Sequence, residues 1–371
     1  MTEEVAHPII RTSTPVRTFN NLDDVAGVVV FPDRQRMATS SKDGLLSVWN
    51  LKDGVMLKEM DARGEAMRDI ALSQDGQWIA SCDCGGYVIA WRGDTLTEAF
   101  RDHSNAFSLD FSPDGAMLAI GSHGSTQLWS TKTWQRRGGP LNCVASGCST
   151  QVNCLRYSPS GELLAIATNR NIQIWNPVTK QCITSPDLYV HTHSLVWKSD
   201  GTCLLSADNS IVQEWDSSTW KEVGRSTLWK GDTGSFTQCI AVNGDGTLVA
   251  FLTTDNRVRL LRLSDRRTIA IFRHSDSPCC IAFSMDGKHI LAGGKDKKIS
   301  EWAVPEHAWP DSQHAVKYQA THQVCSYLFP IHSSFHAFFV PRLKPVTPRF
   351  KIMILRLKAL KARHDLHPSV L

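Results

Sequence analysis

No stretch of about eighteen apolar residues occurs in the chain, which excludes a membrane-spanning helix. The nearest candidate, Val324 to Val340, is interrupted by Pro330, His332 and His336. The first twenty residues hold no apolar signal stretch, and no Asn-x-Ser/Thr acceptor is present. The eleven cysteines are odd in number and scattered in phase. Cys82-x-Cys84 and Cys143-x4-Cys148 lack a second ligand pair at zinc spacing, so free thiols packed as small hydrophobes are expected, in a reducing compartment, the cytoplasm or the nucleus. There is no phosphate-cradling glycine loop ending in Lys-Ser/Thr, no dinucleotide glycine fingerprint and no Gly-x-Ser-x-Gly elbow. Strong charge of one sign is missing too: 40 Lys/Arg face 36 Asp/Glu. Beyond residue 304 the balance is nine basic to three acidic, so the body of the chain is slightly acidic and has no field that would recruit nucleic acid. The expectation is therefore a protein with no cofactor, no metal and no nucleic-acid partner.

What is present is a period. Trp49, Trp91, Trp129, Trp175, Trp215 and Trp302 follow one another at steps of 42, 38, 46, 40 and 87 residues, and Leu261 divides the last step. A spacing near 40 with an aromatic at one phase marks a four-stranded repeat that closes into a ring. Ahead of each aromatic comes a short apolar strand and then a turn: Ser73-Gln74-Asp75-Gly76, Ser112-Pro113-Asp114-Gly115, Ser158-Pro159-Ser160-Gly161, Lys198-Ser199-Asp200-Gly201, Asn243-Gly244-Asp245-Gly246 and Ser284-Met285-Asp286-Gly287. A shortened version, Pro32-Asp33-Arg34-Gln35, stands in the first repeat. Asp-Gly between apolar runs is a hairpin signal, because glycine takes the positive φ of a tight turn. The second strands, such as Leu163-Leu164-Ala165-Ile166, read as buried on both faces. Third strands, such as Asn171-Ile172-Gln173-Ile174-Trp175, are expected to alternate. Each Trp buries ~150–250 Å², which at ~25 cal/mol/Å² is roughly 4–6 kcal/mol of gross burial per repeat.

Residues 15 to 304 resemble the WD-repeat family of β-propellers. The Trp-Asp pair is complete at Trp215-Asp216 and drifts to Trp49-Asn50, Trp91-Arg92, Trp129-Ser130, Trp175-Asn176 and Trp302-Ala303. The family's turn Asp matches Asp43, Asp255 and Asp296, and its His position matches His103 and His274. The repeat as a whole is similar to the WD-repeat halves of fungal NTPase-linked sensor proteins, of which the sensing half alone would be present. The resemblance implies an all-β, seven-bladed β-propeller closed by the N-terminal strand, with a non-repeat C-terminal tail. Pro15 to Phe19 lie where the closing strand should be. The resulting division is an N-terminal extension (1–14), the propeller (15–304) and a basic, poorly ordered or partly helical tail (305–371). Losing residues 1–22 is expected to destabilise the fold more than losing 320–371.

The resemblance also implies a function: a non-catalytic scaffold, monomeric, that presents rim loops to protein partners. Strand-start residues and those just before the turn Asp project to one end of the ring. Lys42, Arg68, Phe107, Asn153, His193, Asp208, Gln238 and Lys295 are the candidate docking residues, with Arg68 and Phe107 as the central pair. Two alternatives stay open. A propeller enzyme would need a central-channel site, for which His191, His193 and Asp208 are the candidates. A membrane-recruited adaptor would use the basic tail around Arg349 to Lys361, although Lys351, Arg356, Lys358 and Lys361 spread over more than half a helical wheel.

Overall fold

The computed structural model describes residues 8–62, 65–143, 150–184, 192–208, 211–223, 227–231 and 237–309. They lie within the first of two compact units, Met1–Leu328. The tail beyond Trp309 lies outside the described residues, as do His191 and Cys148.

Seven antiparallel sheets follow one another along the chain. The first is Val25–Val30, Arg36–Ser41, Leu45–Asn50 and Met56–Asp61, paired in that order. The second to sixth repeat this meander, starting at Met67, Ser108, Val152, Ser194 and Thr237. The seventh takes only three strands from its own stretch, Pro278–Phe283, His289–Gly294 and Lys298–Ala303. Its outer strand is Arg17–Asn20, antiparallel to the last of these, with Phe19 opposite Ile299. First strands of successive sheets touch in order, and Pro278–Phe283 touches both Thr237–Val242 and Val25–Val30. The fold is a closed seven-bladed β-propeller.

Seven separate apolar clusters hold it, one at each junction between neighbouring sheets. The periodic residues face one way: each packs into the cluster shared with the preceding sheet, from Trp49 against the seventh to Trp302 against the sixth. Leu261 does the same between the fifth and sixth sheets. All six periodic tryptophans are buried, Trp175 being the most exposed at 8%. The second strands are buried nearly throughout, as the sequence predicts. The third strands are too (Leu45–Asn50, Lys298–Ala303), because sheets cover both their faces. The expected alternation survives only in part, in Ser125–Ser130 and Arg257–Arg262, and exposure is concentrated in outer strands such as Met56–Asp61.

The hairpin grammar works by side-chain capping. In the second sheet, Ser73 Oγ donates to Asp75 (2.6 Å) and accepts the Trp78 N–H (2.9 Å), while Asp75 accepts the Gln77 N–H (2.9 Å). Gly76 completes the turn at φ 71°, where a Cβ would also lie 2.9 Å from Pro32. The first-sheet turn is not shortened. Phe31 stands at the Ser position, Arg34 takes the left-handed conformation at φ 61°, and Asp33 accepts the Gln35 and Arg36 N–H groups.

A second periodic contact sits five residues after the first six of the seven periodic residues. Gly54, Leu96, Trp134, Lys180, Trp220 and Arg266 all have positive φ. Gly54 has no side chain, but the other five reach the preceding sheet: Leu96, Trp134 and Trp220 pack into or against the shared clusters, while Lys180 donates to the Arg137 carbonyl (2.8 Å) and Arg266 to that of Val223 (2.7 Å). The left-handed conformation is therefore repaid by an inter-sheet contact. Drift from Trp-Asp to Trp-Asn is harmless here, because both residues cap this turn. Asp216 accepts the N–H groups of Ser218 and Thr219, and Asn176 those of Val178 and Thr179. Hydrogen bonds from Ser218 above all hold the Asp216 carboxyl at about 2.

Two features at the chain's ends were not anticipated. Ile10–Thr12 forms a strand parallel to the outer edge of the sixth sheet, pairing Ile10 with Ala270. The packed chain also runs past Val304: Ala308 is fully buried and Trp309 packs against the cluster between the sixth and seventh sheets.

Candidate interaction face and inner wall

The residues expected at the rim do collect at one end of each sheet. The Lys42 N–H donates to the Asp24 carbonyl (3.0 Å), Cys84 to Ala66 (2.8 Å) and Lys295 to Ser277 (3.0 Å). These bonds place the turn between second and third strands beside the start of the first. Their accessibility differs. Lys295 is exposed, and Lys42, Arg68, His193 and Gln238 are half-buried. Phe107, Asn153 and Asp208 are buried at 7%, 5% and 3%. The exposed aromatic expected at 107 is thus corrected. Its backbone N–H donates to the Gly121 carbonyl (2.8 Å), and its ring is covered on two sides. The Arg68 guanidinium carbon lies 4.3 Å from the ring centre, and the exposed His123 meets it edge-on at 4.6 Å. Arg68 also donates to the Ala106 carbonyl (3.3 Å). Asn153 is drawn in by a bond to the Thr192 carbonyl (3.2 Å). His123 was not singled out from the sequence. It occupies the turn-Asp position of the third repeat, which is the signal that could have found it.

Near Lys42 and Lys295 lies Cys279. Burial pushes its thiol up to about 11, against the pull of the two lysines. None of the nine described cysteines is in a disulfide.

The inner wall carries another ring-wide pattern. One residue beyond Arg68, Phe107, Asn153, His193, Gln238 and Cys279 stand Asp69, Ser108, Cys154, Ser194, Cys239 and Cys280, with Gly27 at the equivalent place in the first sheet, small or short in every sheet. Four of them accept an N–H from the next sheet: Asp69 from Leu109 (2.8 Å), Ser108 from Leu155 (3.2 Å), Cys154 from Leu195 (3.4 Å) and Ser194 from Ile240 (3.3 Å). These positions stitch sheet to sheet around the axis.

Lower on the same wall, Asp110 accepts the Tyr157 N–H (2.8 Å). Burial pushes the Asp110 carboxyl up to about 7, against the pull of the Arg156 guanidinium. Folded protein thus keeps a proton that unfolded chain loses above the ordinary value of 3.8. Its stabilising share is whole below that value and is lost as pH rises through about 7. Asp110→Asn should flatten the fall in melting temperature between pH 4 and 7.5, and parallel curves for both proteins would refute the assignment. Of the channel candidates, His193 and Asp208 are described, and His191 lies outside the described residues. Among the described residues no three His, Cys, Asp or Glu side chains are grouped to hold a metal, and no helix is long and apolar enough to cross a membrane.

The repeat geometry has counterparts. The family described as WD domain, G-beta repeat matches residues 13–50, 55–92, 94–130, 141–176 and 266–302, together half of the chain. The protein belongs to the WD-repeat family. Its fifth sheet and the first three strands of its sixth fall outside those matches but keep the same meander. The chain is 24% identical over 296 residues to Telomerase protein component 1 of Rattus norvegicus, covering 75% of this chain and 11% of that protein. It is 28% identical over 289 residues to the human WD repeat and SOCS box-containing protein 1, covering 76% of this chain and 60% of the relative. This WD-repeat chain therefore spans less than two thirds of either relative. Among solved structures, the Cps50 (Swd1) β-propeller domain of Myceliophteria thermophila superposes with a TM-score of 0.69 at 15% identity, covering 78% of this chain and 99% of that one. At that identity the likeness shows the fold.

Proposed function

We propose that this WD-repeat ring is a non-catalytic scaffold that docks protein partners at the strand-start end. The observation that carries the reading is the Arg68–Phe107–His123 stack between the second and third sheets. A half-buried guanidinium is held over a buried ring with an exposed imidazole beside it, so the patch is ordered before a partner arrives. Lys42 and Lys295 extend the same end across the junction of the first and seventh sheets. The inner-wall carboxylates support the non-catalytic reading, since Asp69 and Asp110 are engaged by backbone N–H groups between sheets. In this reading the ring acts as a monomer in the cytoplasm or nucleus, residues 15–304 are the docking unit, and 1–14 and 305–371 flank it.

The test is proximity labelling with the wild type, an Arg68→Glu/His123→Glu variant and an Arg137→Glu control altered just after the outer strand Gln135–Arg136 of the third sheet. Truncating a docking anchor costs about 2 kcal/mol or more, a loss of roughly thirtyfold. At least one partner should vanish from the first variant and persist in the control. An unchanged partner set in a variant that melts like the wild type would sink the proposal.

A further inference from the structure

Where the N-terminal segment passes from the sixth sheet to the seventh, it roofs a polar cavity of about 450 Å³. Ser13 and Thr18 line it from the segment, Arg273 from the end of the sixth sheet, and Lys298, Ser300 and Trp302 from the third strand of the seventh. No Asp or Glu belongs to the wall. Arg273 and Lys298 are both exposed, and their side chains have no ion-pair or hydrogen-bond partner among the described residues. The neighbouring His274 is already used: Nδ1 contacts the Asp276 carbonyl (2.9 Å) and Nε2 that of Ala292 (3.3 Å). Asp296, just outside, accepts the Ser275 hydroxyl and lies 3.6 Å from His274.

A second observation points to a missing acceptor. Trp49 donates its indole N–H to Thr39 (2.9 Å), and Trp215 donates to Ser206 (2.9 Å). In the seventh sheet the residue equivalent to Thr39 and Ser206 is Ala292, which has no hydroxyl. The Trp302 indole N–H is buried with no acceptor among the described residues, although Trp302 itself is only 1% exposed. Buried donors are normally paired; the Trp302 indole N–H, like that of Trp129, has no acceptor among the described residues, and Trp302 alone of the two lines a cavity that also carries Arg273 and Lys298.

We propose that this cavity binds a phosphate-class oxyanion, a group with about −1.5 to −2 charges and three strong acceptor oxygens. Arg273 offers a planar fork and Lys298 a point charge, the usual pair for such a group. The hydroxyls of Ser13, Thr18 and Ser300 supply further donors. The anion would bridge the N-terminal segment and the two sheets that it straps, so binding also stabilises ring closure. The site shares no residue with the Arg68–Phe107–His123 stack and stands or falls independently of it. Its chemistry fits a phosphorylated side chain on a partner protein or free phosphate.

The experiment is calorimetric titration of the full chain at fixed ionic strength with inorganic phosphate, with a phosphoserine peptide and with the same peptide unphosphorylated. Saturable binding of phosphate or phosphopeptide is expected, weakened about tenfold or more in an Arg273→Gln/Lys298→Gln variant and unchanged in Arg137→Gln. Both altered side chains are exposed, so the variant should keep the wild-type melting temperature. Phosphopeptide binding that exceeds phosphate binding identifies a partner's side chain as the source, and equal affinities identify the free ion. Absence of saturable binding, equal binding of the unphosphorylated peptide, or wild-type affinity in the double variant would each overturn the proposal.

Discussion

Deleting residues 1–22 is expected to lower the melting temperature by ~10 °C or more, whereas deleting 1–13 should change it by only a few degrees. The longer deletion removes Arg17–Asn20, the strand that completes the seventh sheet. Phe19, only 2% exposed, leaves the cluster between the seventh and first sheets, where its ring meets Trp49 edge-on at 6.3 Å. Loss of a buried Phe side chain alone costs about 3–5 kcal/mol. The Lys298–Ala303 edge is bared as well, with its ladder partners gone. The shorter deletion removes only Ile10–Thr12, whose Ile10 is already 38% exposed. Thermal melts followed by circular dichroism decide the matter: matching melting points for the two deletions would mean that the ring does not rely on its first strand.

Gly27→Leu should be severely damaging, costing about 3 kcal/mol or more and leaving little folded protein. A Cβ at Gly27 would lie 2.5 Å from Ile70 Cγ2 and 2.7 Å from Ser40 Oγ. Ile70, Ser40 and the rest of that junction are fully buried, so they have nowhere to move. The larger side chain would wedge the first and second sheets apart at their inner edge, where the ring is tightest. Gly139→Ala is the matched control, since nothing lies within 4 Å of its Cβ. Comparable soluble yield and melting for both variants would show that the inner belt tolerates bulk.

The fold was legible because its signals are local and repeated. One aromatic phase, one turn grammar and one leading apolar strand each recur, so errors at Leu261 or Pro32–Gln35 do not disturb the count. The five-residue step from Trp129 to Trp134 and from Trp215 to Trp220 was equally visible. It was missed because in other repeats the same position holds Gly54, Leu96, Lys180 and Arg266, and only conformation unites them. Ile10–Thr12 could not be read as a strand, since three residues define no pattern and the pairing edge lies some 260 positions away. The rim was legible as a location but not as a surface. Phe107 is covered by Arg68 and His123, which come from different sheets and turns, and no one-dimensional pattern reports which of two neighbours lies on top. The same holds for the inner wall: Asp69 and Asp110 look like loose acidic residues until the next sheet's N–H groups arrive.

The matched segments 13–50 and 55–92 each begin in the outer strand of one sheet and finish in the third strand of the next. The unit by which such a chain could be copied is therefore one strand out of step with the unit that folds. Gain or loss of a whole copied segment would still leave a donor strand at the front and an open slot at the back. Ring size could change over evolutionary time without a new joint having to be invented.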